Sequence, residues 1–152
     1  IRSIGSLEAN RTTRILLWST VPRMVADHPW FGVGYGTFRL AFMRYRPPDA
    51  SDREPPTAHN IFLNFVAETG VLGFAAIVAV WAAGFVSTWR WLARSPIAST
   101  ERAAATAVLA TMVGLFTNQL FDGTALTPHV GFGLLALFAI GATGERYLRP
   151  PA

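Results

Sequence analysis

Three stretches of the chain carry no charged side chain, and each is about as long as a membrane-spanning helix. They run from 69 to 89, from 103 to 121 and from 123 to 144. A helix needs about 20 apolar residues to cross the hydrocarbon part of a bilayer. Charged residues make up 14% of the chain, whereas soluble domains carry about 25%. The sequence therefore predicts an all-α membrane protein with about three transmembrane helices within residues 61–152.

The distribution of arginine predicts which side of the membrane each loop faces. The link at 90–102 and the tail at 145–149 carry more arginines than acids, whereas the link at 122–128 has no basic residue. Cytoplasmic loops are enriched in Lys and Arg, so residues 1–60 are predicted to form an extracytoplasmic loop. The chain also starts without Met or a signal-peptide pattern. We interpret it as the C-terminal portion of a polytopic helical bundle.

The predicted outer segment is unexpectedly rich in arginine. It holds eight arginines against five acidic residues, and the whole chain contains no lysine. Guanidinium groups bind phosphate through two parallel hydrogen bonds, which ammonium groups cannot do. The segment is therefore predicted to hold an anionic ligand, with a solvated surface as the alternative; a GC-rich coding sequence would also explain the arginines. Four of these arginines are the candidate ligands of this anion: Arg11, Arg14, Arg39 and Arg44.

Local patterns divide the outer segment into a helix, a turn and a loop. Thr12 and Thr13 are suitable N-caps for a helix that runs to Asp27. Its apolar side chains at helical spacing predict one buried stripe, formed by Ile15, Trp18, Val21 and Val25. The glycine-rich sequence at 28–38 predicts a tight turn, and the proline-rich sequence at 46–57 predicts a surface loop that acts as a mobile lid.

His59 is the candidate catalytic residue. With Thr57 as the N-cap, His59 falls in the first turn of the helix that continues into the first membrane span. The positive end of the helix dipole favours a neutral imidazole there, and a neutral imidazole can accept a proton as a general base. An interfacial histidine that only hydrogen-bonds a neighbouring loop is an equally good interpretation of the residues.

Polar side chains follow His59 along one face of the same helix. Asn60, Asn64 and Glu68 are spaced four residues apart among apolar neighbours. Polar groups that enter a membrane are costly and are by default functional or paired. Glu68 is predicted to orient a base, bind sugar hydroxyls or tie an arginine of the loop to the bundle. Asn118, Gln119 and Asp122 end the second predicted span and are predicted to line the same cavity or to bond one another.

Several site classes lack their motifs in this sequence. The chain has no cysteine, and its histidines and acids show no metal-ligand spacing. It has no phosphate-binding P-loop, and the GVGYG sequence lacks the strand and the acidic residue of a dinucleotide site. The arginines are predicted to face outward, which is the wrong side for nucleic acid. We therefore expect neither a metal nor a cofactor.

Three sequence blocks together resemble the O-antigen ligase and polymerase superfamily. They are RxxxW at Arg14 to Trp18, HPWFGVGYGTF at 28–38 and HNIFLNFVAETGVLG at 59–73. In that family a histidine closes a large periplasmic loop and is followed by a polar residue, a leucine and a glycine. The corresponding residues here are His59, Asn60, Leu63 and Gly70.

The resemblance implies a glycosyltransferase of the bacterial inner membrane that takes part in lipopolysaccharide or polysaccharide synthesis. It implies an undecaprenyl-diphosphate-linked glycan as donor, a lipid or glycan acceptor, and N-terminal helices of the same protein that complete the site. Transfer would be metal-independent and inverting, with His59 as base and Arg14 as the first diphosphate ligand. The alternatives are a polymerase of the same superfamily and a non-catalytic remnant that binds anionic lipid or glycan. A transporter is a weaker alternative, because the predicted spans contain no internal charges.

Overall fold

The computed structural model describes residues 2–46, 57–121 and 128–147, and every element in these ranges is an α-helix. The prediction of an all-α fold is confirmed. In chain order the helices are α1 (Arg2–Asp27), α2 (Phe38–Tyr45), α3 (Ile61–Arg94), α4 (Thr100–Gln119) and α5 (Pro128–Tyr147). The predicted lid falls largely on residues 47–56, and Asp122 falls on 122–127; both lie outside the described residues.

Helix α1 has the predicted end but a different beginning. It starts at Arg2, so the predicted cap at Thr12 and Thr13 lies inside the helix and is wrong. Residues 2–11 contain no proline, and their leucine, alanine, glutamate and arginine side chains favour the helix, which therefore needs no cap at Thr12. The helix ends at Asp27, two residues before Pro29, because the residue preceding a proline disfavours helical backbone angles.

The chain divides into two compact units, which are described separately. Unit 1 comprises Ile1–Ile77 and Leu120–Gly123, and unit 2 comprises Val78–Gln119 and Thr124–Ala152. The core of unit 1 is formed by buried apolar side chains of α1, α2, the start of α3 and the segment just before α3. These residues are Leu17, Val21, Met24, Phe38, Ala41, Phe42, Ala58 and Ala67.

The buried face of α1 is rotated from the predicted stripe. Ile15 is 56% exposed, whereas Leu17 and Met24 are almost completely buried. Val21 is buried as predicted, and Trp18 and Val25 are partly buried against the core. The buried face of α1 is the one that packs against α2, whose Phe38 and Phe42 are both buried.

Helix α3 has the properties of a membrane span. Among the described residues it is the one helix long and apolar enough to cross a bilayer, with 34 residues. Helices α4 and α5 coincide with the other two uncharged stretches, so their helical state is confirmed. The apolar part of α5 is shorter, at Gly131–Gly144, and membrane crossing by α4 and α5 stays a prediction.

Unit 2 is held together by an aromatic cluster and by close contacts to glycine. Trp81 is 2% exposed, and its ring lies 5.2 Å from that of Phe116 and 5.4 Å from that of Phe138 in edge-to-face geometry. Gly141 of α5 leaves space for the side chain of Thr88 on α3. Small residues at helix contacts allow the close approach that membrane helices need.

Candidate active site

His59 lies just before α3 in a backbone conformation that residues with side chains rarely adopt. Its φ is 51°, which is in the left-handed region and costs an L-residue roughly 1–2 kcal/mol. Because α3 begins at Ile61, the prediction that His59 sits in the first helical turn behind an N-cap at Thr57 is wrong. Instead, Thr57 Oγ1 accepts a 3.3 Å hydrogen bond from His59 N.

Asn60 is the N-cap of α3. Its Oδ1 accepts a 3.0 Å hydrogen bond from the backbone N–H of Leu63, and its carbonyl accepts the first helical bond from Asn64 N. The other end of the same amide, Nδ2, donates to the carbonyl of Leu120 at 2.8 Å. Asparagine is among the best N-cap residues, and the two bonds of its side chain fix the residue that follows His59.

Ala58, on the other side of His59, is held by two helices. It is completely buried. Its N–H donates to Asn64 Oδ1 at 3.0 Å, and its carbonyl accepts from Trp18 Nε1 at 2.9 Å. Asn64 itself is only 1% exposed. His59 is therefore carried between two residues whose positions are fixed by side chains from α1 and α3.

The side chain of Glu68 caps the N-terminal end of α2. The N-cap residue Thr37 makes no side-chain cap bond to this helix; its hydroxyl donates to the carbonyl of Gly34 at 2.7 Å. Instead, the backbone N–H of Phe38 donates to Glu68 Oε1 at 2.8 Å. A carboxylate is favourable at the positive end of a helix. This bond gives buried Glu68 a structural role, and the sequence-predicted roles at a substrate stay predictions.

Helix α3 is interrupted at Gly70, where the loop at 29–34 contacts its backbone. Gly70 has φ 67° and ψ −165°, which is not helical. A Cβ on Gly70 would clash with the carbonyl group of Trp30, and a Cβ on Gly32 would come within 2.5 Å of Thr69 N. Three backbone hydrogen bonds join the two segments: Val33 N to Ala67 O, Gly34 N to Glu68 O, and Val71 N to Pro29 O, at 2.8–2.9 Å.

The predicted arginine ligands occupy different parts of unit 1. Arg14 is half-buried and lies four residues before Trp18, so both are on one face of α1. Trp18 bonds the residue preceding His59, so Arg14 lies on the face of α1 that carries this bond, and its role as a ligand stays a prediction. Arg11 also belongs to α1, but its side chain lies outside the described part.

Arg39 and Arg44 are exposed on α2. The hydroxyl of Tyr45, next to Arg44, donates to Asp27 Oδ2 at 2.8 Å, and this bond raises the pKa of the tyrosine. Asp27 ends α1 and lies about 20 Å along the helix from Arg14, at a rise of about 1.5 Å per residue. Arg44 therefore lies on the part of α2 that is bonded to the C-terminal end of α1, away from Arg14.

The cavity role predicted for Asn118 and Gln119 stays a prediction. Asn118 and Gln119 end α4, and Gln119 is buried. Among the residues that the structure describes, no group of three His, Cys, Asp or Glu side chains has metal-binding geometry. Sequence reasoning missed the contact between the loop that contains Gly32 and the part of α3 that contains Gly70. The available signal was a glycine inside an apolar helix together with a second glycine-rich segment.

Comparison with known families identifies the first half of the chain. A family model described as O-antigen ligase matches residues 2–78, a range that includes Arg14, Trp18, His59, Asn64 and Glu68. No curated protein and no solved structure matches the chain. The family match covers half of the sequence and contains all of α1 and α2. The chain therefore belongs to the O-antigen ligase family, whose members are membrane enzymes of polysaccharide biosynthesis.

Proposed function

We propose that this chain carries the acceptor-activating site of a membrane glycosyltransferase. The enzyme moves a glycan from a polyprenyl-diphosphate carrier to an acceptor hydroxyl. The observation that carries the proposal is the position of His59, which has a left-handed backbone between fixed Ala58 and Asn60. Strained residues that the surrounding structure holds in place occur preferentially at active sites.

The reaction is a single displacement. An imidazole nitrogen of His59 accepts the proton of the acceptor hydroxyl as the oxygen attacks the anomeric carbon. The new glycosidic C–O bond forms while the bond to the diphosphate breaks, and the leaving polyprenyl diphosphate takes the electron pair. Attack from the side opposite the diphosphate inverts the anomeric centre. General base catalysis of this kind contributes about 10²- to 10⁴-fold to the rate.

The arginines stabilise the charge on the diphosphate. Arg14 is the first candidate because α1 carries it on the same face as Trp18, which bonds the residue beside His59. Arg11, Arg39 and Arg44 are further candidates in the arginine-rich segment. Charge-assisted, bidentate hydrogen bonds suit a diphosphate that gains negative charge as its bond breaks. Asn60 and Asn64 position the histidine, and Glu68 positions α2.

The proposed topology follows the distribution of charge. Residues 1–60 form an extracytoplasmic loop, and residues 61–152 form the membrane region with α3, α4 and α5 as spans of the bacterial inner membrane. The donor is an undecaprenyl-diphosphate-linked glycan, and N-terminal helices of the same protein complete the cavity. A ligase acceptor is a lipid A core, and a polymerase acceptor is a second glycan; the chemistry at His59 is the same for both.

A transfer assay tests the proposed reaction. The full-length protein in nanodiscs would be supplied with a polyprenyl-diphosphate-linked oligosaccharide and either a lipid A core or a free glycan. We expect a new glycosidic bond with the anomeric configuration opposite to that of the donor, formed equally well in the presence of EDTA. Retention of configuration would contradict the single displacement. Binding of donor without transfer to either acceptor would favour the non-catalytic alternative.

Arg14→Lys tests whether the guanidinium fork matters. The lysine keeps the positive charge but makes no planar bidentate contact, so we expect most of the loss seen in Arg14→Ala. For Arg14→Ala the loss is about 10²- to 10³-fold in turnover, if the contact is comparable with an oxyanion-hole donor. The matched control is Arg23→Lys, an exposed arginine on the same helix. Near-normal turnover of Arg14→Lys would rule out the bidentate contact.

A further inference from the structure

We infer that the loop formed by residues 29–36 lies in the interfacial layer of the bilayer, where its exposed aromatic side chains anchor unit 1 among the lipid headgroups. The inference concerns a lipid-binding surface outside the proposed catalytic residues. It rests on α3 as a membrane span and does not depend on the proposed reaction.

The depth of the loop follows from the sequence of α3. The uncharged stretch between Glu68 and Arg90 occupies positions 69–89. At 1.5 Å per residue, the helical part that follows Gly70, at 71–89, is about 28 Å long, close to the roughly 30 Å thickness of the hydrocarbon core. The start of this stretch, at Thr69 and Gly70, therefore marks one edge of the hydrocarbon.

The loop is attached to α3 at this edge. Its backbone bonds reach Ala67, Glu68 and Val71 at 2.8–2.9 Å, on both sides of Gly70. The contact between Gly32 and the backbone at 68–69 leaves no room for a Cβ. These contacts hold the loop beside the point where the apolar part of α3 begins.

The side chains of the loop suit this layer. Trp30 is 63% exposed, Phe31 78% and Tyr35 72%. Trp and Tyr are enriched at membrane–water interfaces, because they combine an apolar ring with a polar group. On a surface in contact only with water, three large exposed aromatic residues within six positions would form an unfavourable apolar patch.

Helix α2, which follows the loop in the sequence, also has exposed apolar side chains. Leu40 is 70% exposed, and Met43 is 38% exposed three residues later. Residues three apart lie on one face of a helix. Exposed aliphatic side chains next to amphipathic aromatic rings suit the boundary between acyl chains and headgroups.

Spin-label accessibility measures the depth of the loop directly. The 152 residues contain no cysteine, so single cysteines can be introduced as Phe31→Cys and Tyr35→Cys in a cysteine-free full-length protein. Ser19→Cys is the matched control. Ser19 is exposed and follows Trp18, whose indole bonds the carbonyl of Ala58. Ala58 precedes Glu68 by ten residues and therefore lies further from the uncharged stretch of α3. Labelled proteins would be placed in nanodiscs of phosphatidylethanolamine and phosphatidylglycerol. The collision rates with oxygen and with a water-soluble nickel chelate would then be compared.

The expected result is a ratio of oxygen to nickel collisions several-fold higher at positions 31 and 35 than at position 19. Equal ratios at the three positions would place the loop in water and overturn the inference. Strongly reduced collisions with both reagents at 31 and 35 would show burial against protein and would also overturn it. The measurement reads depth and not turnover, so its failure leaves the proposed reaction untouched.

Discussion

His59→Gly is expected to abolish glycan transfer without destabilising the protein. The substitution removes the imidazole, so transfer should fall by about 10²- to 10⁴-fold, the usual contribution of a general base. Glycine adopts positive φ as readily as negative φ, so the native φ of 51° costs the variant no steric strain. A purely structural histidine would show the opposite pattern, with a change in stability and unchanged turnover per folded molecule.

Companion variants make this result specific. His59→Ala also lacks the base but keeps a Cβ in the left-handed region, so it should be as inactive as His59→Gly and less stable to heat. His28→Ala changes an exposed histidine of the same unit and should transfer glycan like the wild type. Turnover is measured per amount of protein in the membrane fraction. Wild-type turnover of His59→Gly would show that His59 is not in the reaction.

The sequence predicted features that depend on local composition and spacing. The uncharged stretch after Glu68 identified α3, because membrane crossing depends on a long run of apolar residues. The spacing of Asn60, Asn64 and Glu68 placed them on one face of α3, and the structure shows all three in hydrogen bonds to backbone groups. Local spacing fixes the face of a helix in this way.

The partners of these side chains could not be predicted. Asn64 bonds Ala58, and Glu68 bonds Phe38, which is 30 residues away. The bond to Phe38 depends on the placement of α2 beside Glu68, and the bond to Ala58 depends on the bend of the chain at His59. Helical spacing predicts neither. The N-cap was misassigned for a similar reason. Thr57 and Asn60 are both good caps, and Asn60 has the further bond to Leu120, which lies 60 residues further along the chain.

The break in α3 is the clearest non-local feature. Seen alone, Gly70 is one glycine within a long apolar helix, and an isolated glycine there costs only about 1 kcal/mol relative to alanine. Its non-helical conformation is explained only together with Gly32, because glycine at both positions lets the backbone of the loop approach the backbone of α3 closely. The family resemblance marked Gly70 as part of a motif, but the sequence did not connect it with the glycine-rich turn.

Gly70→Ala is expected to destabilise unit 1 strongly. The native φ of 67° and ψ of −165° belong to a region that is essentially restricted to glycine, and occupying it costs other residues about 1–3 kcal/mol. The added Cβ would also clash with the Trp30 carbonyl and come within 2.6 Å of Phe31 N. Overpacking of this kind typically costs about a further 1–3 kcal/mol. The loss of stability would be measured as a lower melting temperature of the full-length protein in detergent, read from the fraction that stays soluble after heating.

Two other glycines separate the conformational part of this cost from the steric part. Gly36 has a φ of 73° but no described atom within 4 Å of an added Cβ, and Gly114 is helical with similar open space. We expect Gly36→Ala to lower the melting temperature moderately and Gly114→Ala to leave it unchanged or raise it, since alanine favours helix. A Gly70→Ala protein that melts no lower than Gly36→Ala would contradict the close backbone contact. Because that contact holds the loop against α3, faster hydrogen exchange at Val33, Gly34 and Val71 should accompany the loss of stability.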